Sequence, residues 1–360
     1  MKAKVLKMNM AWNDFLERFG ARLENGRAVH FGRPEVERWA ALHGDICSDR
    51  SDQGLIAVQG PDADPFLQGQ LTCDVREVTP DRSRIGAYCT PKGRALACLR
   101  LLRREDALCL ELPRALVEPT LTRLRRYVLR AKVRLEDASD RWARIGVAGP
   151  NAQVLLTKLL GAVPETADGL VQAPADSRDI TVIRLPGSTP RFELHGPLMA
   201  MQALWIRLEA EVTFTGPEPW RLLEILAGTP AVYPETVEAF VPQMLNLQLL
   251  DGISFQKGCY TGQEIVARTH YLGKLKRRMV LARVDSPTPP RPGEPLFSSQ
   301  ADASQSAGQL ADACPHPDGG YAVLAVVSIA CVERGTLHLN GIGGPVLRLE
   351  PLPYGFEPAG

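Results

Sequence analysis

The stretch KGCYTGQE, residues 257–264, places a cysteine between a lysine and a turn that contains two glycines. The next residues, IVARTHY, show the apolar spacing of a helix, so the turn predicts a helix start. Thr261 and Glu264 have the spacing of a capping box, in which a threonine and a glutamate satisfy unpaired backbone amides at a helix N-terminus. The stretch therefore predicts that Cys259 lies just before the first turn of a helix.

Cys259 has two interpretations at this stage. The partial positive charge of a helix N-terminus and the nearby Lys257 would both favour a thiolate, which makes Cys259 a candidate reactive thiol. A lone cysteine can equally be a small buried side chain that fills a tight turn. On the first interpretation, Lys257 activates the thiol, Gly258 and Gly262 permit the turn sterically, and Gln263 and Glu264 organise it. Tyr260 and Thr261 complete the motif.

Composition indicates a globular chain of more than one domain, because 360 residues with 45% hydrophobic content can bury large cores. The formal charge of +1 provides no whole-protein field for nucleic acid or membrane binding. We find no apolar run long enough to cross a bilayer and no signal peptide pattern. Eight cysteines at irregular spacing, without a CxxC, predict no metal site and no disulfide framework, which favours a reducing cytoplasm.

The first part of the chain predicts mixed α and β structure. Helical spacing occurs over residues 13–22 and 34–43, and strand patterns occur over residues 54–58 and 95–102. Alternation over residues 129–135 predicts a further strand. Its basic face would carry Arg130, Lys132 and Arg134.

The last part of the chain predicts mainly β structure. Residues 285–308 are rich in Pro, Ser and Ala and predict a linker or long loops. Apolar segments at residues 321–332, 336–339 and 346–349, separated by glycine turns, predict strands. This pattern is typical of a small antiparallel barrel or sandwich.

A group of basic residues follows the cysteine turn: Arg268, His270, Lys274, Lys276, Arg277 and Arg278. The group could bind the carboxylates of a polyglutamylated ligand, RNA phosphates or an acidic partner, or it could be a solvated surface. Trp220 is also ambiguous, because it precedes a helical apolar set. Its indole could pack in a core or stack on a planar ligand.

The cysteine turn, continued by IVARTHYLGKLKRR, resembles the signature of the bacterial YgfZ family of folate-binding proteins. Further segments resemble that family in the expected order: LIAVQGPDADPFLQGQLTCD (55–74), PKGR (91–94), residues 127–133 and 146–150, FVPQMLN (240–246) and LEPLPY (349–354). The resemblance covers residue 50 to the end. The first fifty residues carry no such match.

The resemblance implies an α+β, multi-domain fold like that of the glycine cleavage T protein, an aminomethyltransferase, with a central folate cavity and a C-terminal small antiparallel β-barrel. We expect an N-terminal helical extension over residues 1–48, a folate-binding region of two subdomains over 49–280 and the barrel over 281–360. The resemblance implies tetrahydrofolate or a derivative as the bound cofactor. Trp220 would stack on it and Arg268 would hold its carboxylates.

One departure from the T protein concerns catalysis. The carboxylate that helps activate folate in that protein has no counterpart here, because the corresponding stretch contains Ala97 and Cys98. A buried carboxylate could assist proton transfer, and neither residue replaces it. The residues therefore leave open whether this chain is an enzyme.

The family resemblance implies an accessory role in the maintenance or repair of iron-sulfur proteins, including tRNA-thiomethylating enzymes, with Cys259 as the functional thiol. The partners would be folate and iron-sulfur client proteins, with no stable metal cluster, no membrane and no direct nucleic-acid contact. Two alternatives remain open. One is a folate-dependent one-carbon transferase, and the other is an RNA-binding module that uses Arg130, Lys132, Arg134, Arg277 and Arg278.

Overall fold

The computed structural model describes residues 2–173, 180–271, 273, 275–300 and 306–355, with side chains from residue 10 onward. It divides into two compact units, each built from separate parts of the chain. Unit 1 comprises Met1–Ala63, Glu77–Ser83 and Leu101–Leu223, and unit 2 comprises Asp64–Arg76, Arg84–Arg100 and Glu224–Gly360. Among the described residues, no helix is both long and apolar enough to span a membrane.

The α-helices occur throughout the chain and are mostly short. They are α1 (Lys2–Arg18), α2 (Pro34–His43), α3 (Ala63–Gln68), α4 (Val117–Arg125), α5 (Ala152–Leu160), α6 (Leu198–Leu208), α7 (Pro217–Leu226), α8 (Gln263–Tyr271) and α9 (Ile329–Arg334).

The strands alternate with these helices up to α7 and dominate the chain after α8. They are β1 (Arg22–Glu24), β2 (Arg27–His30), β3 (Ile46–Asp49), β4 (Gln53–Gln59), β5 (Arg84–Cys89), β6 (Ala95–Arg104), β7 (Ala107–Pro113), β8 (Arg134–Asp137), β9 (Ala143–Ala148), β10 (Leu170–Gln172), β11 (Thr181–Leu185), β12 (Arg191–Gly196), β13 (Thr213–Thr215), β14 (Arg277–Val284), β15 (Pro295–Ser298), β16 (Gly308–Pro315), β17 (Tyr321–Ser328), β18 (Leu337–Leu339) and β19 (Leu347–Glu350).

Unit 1 contains a six-stranded sheet in the order β10-β11-β12-β9-β3-β13. Alternate residues of β9 point to opposite faces, as the strand period requires. Ala143, Ile145 and Val147 join the apolar core that also includes side chains of α1, α5 and α6. Arg144 and Gly146 therefore lie on the opposite face, and this alternation brings charged groups to the other side of the sheet.

Strands β4, β7 and β8 of unit 1 pair antiparallel, with β4 between the other two. Strand β4 confirms the strand predicted at residues 54–58. Helix α4 packs on β4 and β8 through buried apolar residues, which include Val117, Leu121 and Leu124.

The C-terminal sheet of unit 2 has the order β18-β15-β16-β17-β14-β19. Its neighbouring strands pair antiparallel, and the two edge strands approach each other at an isolated bridge between His338 and Val346. The sheet thus curls back on itself, which confirms the predicted small antiparallel barrel. Its interior is lined by alternate apolar residues such as Val323, Ala325 and Val327.

Three local predictions differ from the structure. The strand predicted at residues 129–135 begins only at Arg134, because the backbone before it forms turns, among them the bond from the Val128 amide to the Arg125 carbonyl at 3.2 Å. The strand predicted at 321–332 ends at Ser328, where α9 begins. The helix predicted at 13–22 ends at Arg18, and a β1–β2 hairpin follows it.

Candidate functional site

The cysteine turn of unit 2, residues 257–264, leads directly into α8, as predicted. The Gln263 amide donates to the Tyr260 carbonyl at 3.1 Å, and the Val266 amide donates to the Gly262 carbonyl at 3.3 Å. The Thr261 amide donates to the Gly69 carbonyl at 3.2 Å, which ties the turn to the end of α3. The turn is therefore held by backbone bonds on both sides of the helix start.

The predicted capping box is not formed. Among the described residues, neither the Thr261 hydroxyl nor the Glu264 carboxylate has a hydrogen-bond partner, and α8 begins at Gln263. Gly262 instead shapes the turn, because its φ of +87° is one that L side chains rarely adopt. A Cβ at this position would also lie 2.5 Å from the Thr90 carbonyl oxygen. The glycine geometry, rather than a side-chain cap, sets the start of the helix.

Cys259 is exposed, whereas the other seven cysteines are buried. Burial raises the pKa of Cys73 to about 11 and that of Cys98 to about 12, which keeps those thiols protonated and unreactive near neutral pH. The exposure of Cys259 argues against the interpretation of a small buried side chain. Its chemical role remains a prediction.

Lys257 is anchored inside unit 2. Its ammonium donates to the carbonyl oxygens of Leu71 at 2.8 Å and Cys73 at 2.7 Å, and it lies 5.2 Å from the centre of the Tyr260 ring. Burial lowers the pKa of Lys257 to about 8. These contacts make Lys257 a link between the cysteine turn and the segment around residue 72, a role that the sequence did not predict.

Tyr260 fills the interior side of the turn. Its ring is buried, and its hydroxyl has no hydrogen-bond partner among the described residues. Burial raises the pKa of Tyr260, and the nearby thiols of Cys89 and Cys73 act in the same direction. Tyr260 points inward between Lys257 and Thr261, which are both held by hydrogen bonds. Gly258 and Cys259 are therefore exposed on the outer side of the turn.

The remaining predicted residues of this region lie at the surface. Gln263 is half-buried, while Glu264 and Arg268 are exposed on α8. Of the basic group, His270, Lys276 and Arg277 are also exposed, Arg278 is half-buried, and Lys274 lies outside the described residues. The His270 ring stacks on Phe255 with their centres 3.8 Å apart. Exposed positive charge thus continues from Arg268 beyond the end of α8.

Trp220 lies in unit 1, at the first turns of α7, and is fully buried. The Arg50 guanidinium lies 5.1 Å from its ring centre, and a Cβ on Gly146 would come within 2.4 Å of the ring. Gly146 therefore allows the indole to lie directly against the β9 backbone. This environment fits a packed indole, and stacking on folate remains a prediction.

A buried polar cluster in unit 1 was missed by the sequence analysis. Glu111 of β7 and Glu193 and His195 of β12 place potential ligand atoms within 4.8 Å of one another. His195 Nε2 lies 3.7 Å from Glu111 Oε1 and 3.5 Å from Glu193 Oε1. The alternation of β12 was the available signal, because Glu193 and His195 share a face and occur within an apolar strand.

The titration of this cluster follows from burial and mutual charge. Burial would raise the pKa of Glu111, but the adjacent His195 outweighs it and holds that pKa below its usual range. Burial and then the Glu111 charge raise the pKa of Glu193. Burial would lower the pKa of His195, but the Glu111 charge raises it. Glu193 and His195 thus hold protons that they would release as separate groups, whereas Glu111 stays ionised to a lower pH.

The charges around the same cluster make it a poor cation site. The Arg50 Nε atom lies 4.0 Å from Glu193 Oε1, and the nearby charge of Arg144 helps to lower the pKa of Glu111. Two guanidinium groups therefore offset the two carboxylates. A divalent ion would add two positive charges to a buried group that already contains two guanidinium groups and a histidine with a raised pKa, which is unfavourable.

Unit 1 also contains a cavity of about 290 Å³. Its lining includes Trp12, Trp142, Arg27 and Arg144. Trp220 is not among the lining residues. The cavity is near the lower end of the size range of small-molecule sites.

Comparisons with known proteins agree with this architecture. Residues 12–183 match the family model of the GCVT N-terminal domain, which includes most of the predicted N-terminal extension. The aminomethyltransferase T of the glycine cleavage system from Bartonella henselae has the same fold, with a TM-score of 0.70 at 19% identity over 94% of this chain and 96% of that one.

Closer sequence relatives carry a common name, tRNA-modifying protein YgfZ. The protein from Sodalis glossinidius is 33% identical over 84% of this chain and 91% of its own length. Those from Klebsiella pneumoniae and Escherichia coli O45:K1 are 33% and 32% identical over 86% and 85% of this chain, and 92% of each relative is covered. On this similarity, the chain belongs to the family of the tRNA-modifying protein YgfZ.

Proposed function

We propose that this protein binds tetrahydrofolate or a derivative and supports the synthesis or repair of iron-sulfur proteins, among them tRNA-thiomethylating enzymes. The observation that carries the proposal is the exposed Cys259 on a turn held by Lys257 and Gly262, with the other seven thiols buried. A thiol that is fixed in position and accessible to solvent can contact a client protein. The name of the relatives supports a connection with tRNA modification.

The thiol role follows from where Cys259 lies. It precedes α8, whose N-terminal backbone amides favour negative charge nearby. A thiolate at an exposed position can ligate iron transiently or exchange with a client disulfide. Eight free cysteines suit the reducing cytoplasm in which we propose that the protein works.

The folate role draws on the fold shared with aminomethyltransferase T and on two residues. Arg268 is exposed and has no partner among the described residues, so its guanidinium could pair with a ligand carboxylate. Trp220 would stack on the pterin or benzoyl ring, which requires the Arg50 side chain to move from above its ring. The proposal includes no resident metal cluster.

The test combines a binding titration with complementation. Tetrahydrofolate is titrated under anaerobic conditions into the wild type, Trp220→Phe, Cys259→Ser and the control Trp39→Phe, whose ring is exposed. We expect weaker binding only for Trp220→Phe. Cys259→Ser should bind folate normally but fail to restore tRNA thiomethylation in a bacterium that lacks its own homologue. Full restoration by Cys259→Ser would remove the thiol from the mechanism.

A second candidate function is a folate-dependent one-carbon transferase. The observation in its favour is the buried pair Glu111 and Glu193, because a carboxylate elsewhere in the fold could replace the one missing at Ala97 and Cys98. Incubation with methylene-tetrahydrofolate and candidate amines tests it. Turnover that disappears in Glu111→Gln would favour this function over the accessory role.

A further inference from the structure

The segment after the middle of α4 carries a dense group of positive charges, which we name the basic turn, residues 123–134. It contains Arg123, Arg125, Arg126, Arg130, Lys132 and Arg134. No Asp or Glu occurs between Glu118 and Glu136, although the chain as a whole has a formal charge of only +1. The chain therefore has a strongly positive local surface although its net charge is close to zero.

These charges face solvent and are largely uncompensated. Arg123 is half-buried, and the other five basic side chains are exposed. Arg134 pairs with Glu136 at 2.7 Å. Within the described ranges, no carboxylate lies within ion-pair distance of the charged groups of Arg126, Arg130 or Lys132.

The backbone of the basic turn is held in place. The Lys132 amide donates to Asp62 Oδ2 at 2.6 Å. Gly60, with φ of +116°, lies so close that a Cβ there would be 2.2 Å from the Lys132 carbonyl oxygen. The Arg125 Nη2 atom donates to the Leu135 carbonyl at 3.3 Å. A ligand would therefore meet charges on a preorganised backbone, which lowers the entropic cost of binding.

Two side chains among the charges indicate the class of ligand. Tyr127 is 38% exposed and Leu129 is 86% exposed. An exposed aromatic ring between arginines suits a polyanion that also presents flat bases, because it can stack on an unpaired base. An acidic peptide would pair with the positive charges of the basic turn but would have no flat base to stack on the Tyr127 ring. The relatives are named tRNA-modifying proteins, which points to RNA.

We propose that the basic turn binds tRNA, with its Arg and Lys side chains on phosphates and Tyr127 on an unpaired base. This activity goes beyond folate binding and the thiol chemistry of Cys259, and needs neither. It depends on residues of unit 1 alone. Binding should weaken steeply as salt concentration rises, because each phosphate contact releases counterions.

The test measures binding of an unmodified tRNA transcript to the full chain by fluorescence anisotropy between about 50 and 200 mM salt. The triple variant Arg126→Gln/Arg130→Gln/Lys132→Gln removes three charges without disturbing the hydrogen bonds of the turn. The control Arg18→Gln/Lys158→Gln/Arg207→Gln removes three exposed charges elsewhere in unit 1. We expect the first to bind about tenfold more weakly, with a salt slope lower by about two to three, and the control to match the wild type.

Tyr127→Ala should lower affinity without changing the salt slope, because stacking releases no counterions. Two results would overturn the proposal: no wild-type binding to the transcript at the lowest salt, or equal losses of transcript binding in both triple variants. A tetrahydrofolate titration of the first triple variant should match that of the wild type. This control separates failure of the RNA proposal from failure of the folate proposal.

Discussion

Gly262 and Gly93 meet through their backbones in unit 2: a Cβ on Gly262 would lie 2.9 Å from the Gly93 Cα. Both have positive φ, +87° and +67°, and a Cβ on Gly93 would lie 2.9 Å from the Ile265 Cβ. The turn that carries Cys259 is thus fitted against the turn before β6. The two glycines are needed for this close approach as well as for their own turns.

We expect Gly262→Ala to lower the free energy of unfolding by about 2–4 kcal/mol, because it combines an unfavourable φ with a clash against the Thr90 carbonyl. Gly258→Ala is the matched control, since a Cβ there meets nothing within 4 Å. It should change the unfolding free energy by less than about 0.5 kcal/mol. Urea denaturation measures both. Equal stability of the two variants would mean that the turn adapts to a side chain.

Lys257→Met should destabilise the protein by about 2–4 kcal/mol, because it leaves the buried carbonyls of Leu71 and Cys73 without their shared donor. Lys276→Met, at an exposed position, serves as the control and should have little effect. The pH dependence of iodoacetamide labelling of Cys259 should be the same in both variants and the wild type. A large shift for Lys257→Met alone would instead support the predicted role of Lys257 as activator of the thiol.

Thiol labelling under native conditions should modify Cys259 quickly and the other cysteines slowly, because those seven are buried. Mass spectrometry after a short exposure to iodoacetamide should show one adduct per wild-type chain and none for Cys259→Ser. Labelling in denaturant provides the control, with eight and seven adducts. Rapid native modification of a second cysteine would show that unit 1 or unit 2 opens readily.

The sequence predicted the cysteine turn, the start of α8 and the C-terminal barrel because each depends on local signals. Glycines mark the turns, and alternation or helical spacing marks the elements beside them. The same local rules misplaced the strand at residues 129–135. In that segment the backbone forms turns, and the Lys132 amide donates a hydrogen bond to the carboxylate of Asp62, which lies seventy residues earlier in the chain.

The contacts that define the candidate sites were harder to predict, since they join distant segments. Lys257 reaches the carbonyls of Leu71 and Cys73, which no spacing rule can reveal. Glu111 and Glu193 meet only because β7 and β12 bring them together. The capping box failed for a related reason: the glycine geometry at Gly262, set by a neighbouring turn, replaced the side-chain cap.

The buried cluster of unit 1 predicts a dependence of stability on pH. The raised pKa of Glu193 means that the folded protein holds a proton that the unfolded chain releases above its ordinary value of 4.5. Where the folded state binds more protons, stability falls as pH rises. The raised pKa of His195 has the same sign, with its contribution complete below 6.5 and lost as pH rises through the folded value.

Glu193→Gln keeps the shape of the protonated side chain and removes its titration. We expect the wild type to lose stability relative to Glu193→Gln as the pH rises from about 5 towards 8, by about 1.4 kcal/mol for each unit by which the folded pKa exceeds the ordinary one in that range. Urea denaturation across the range measures this difference, and the exposed Glu264→Gln serves as the control. A stability difference between the wild type and Glu193→Gln that does not change with pH would contradict this prediction. It would show that the pKa of Glu193 is not raised in the folded state, although Glu193 is buried beside Glu111.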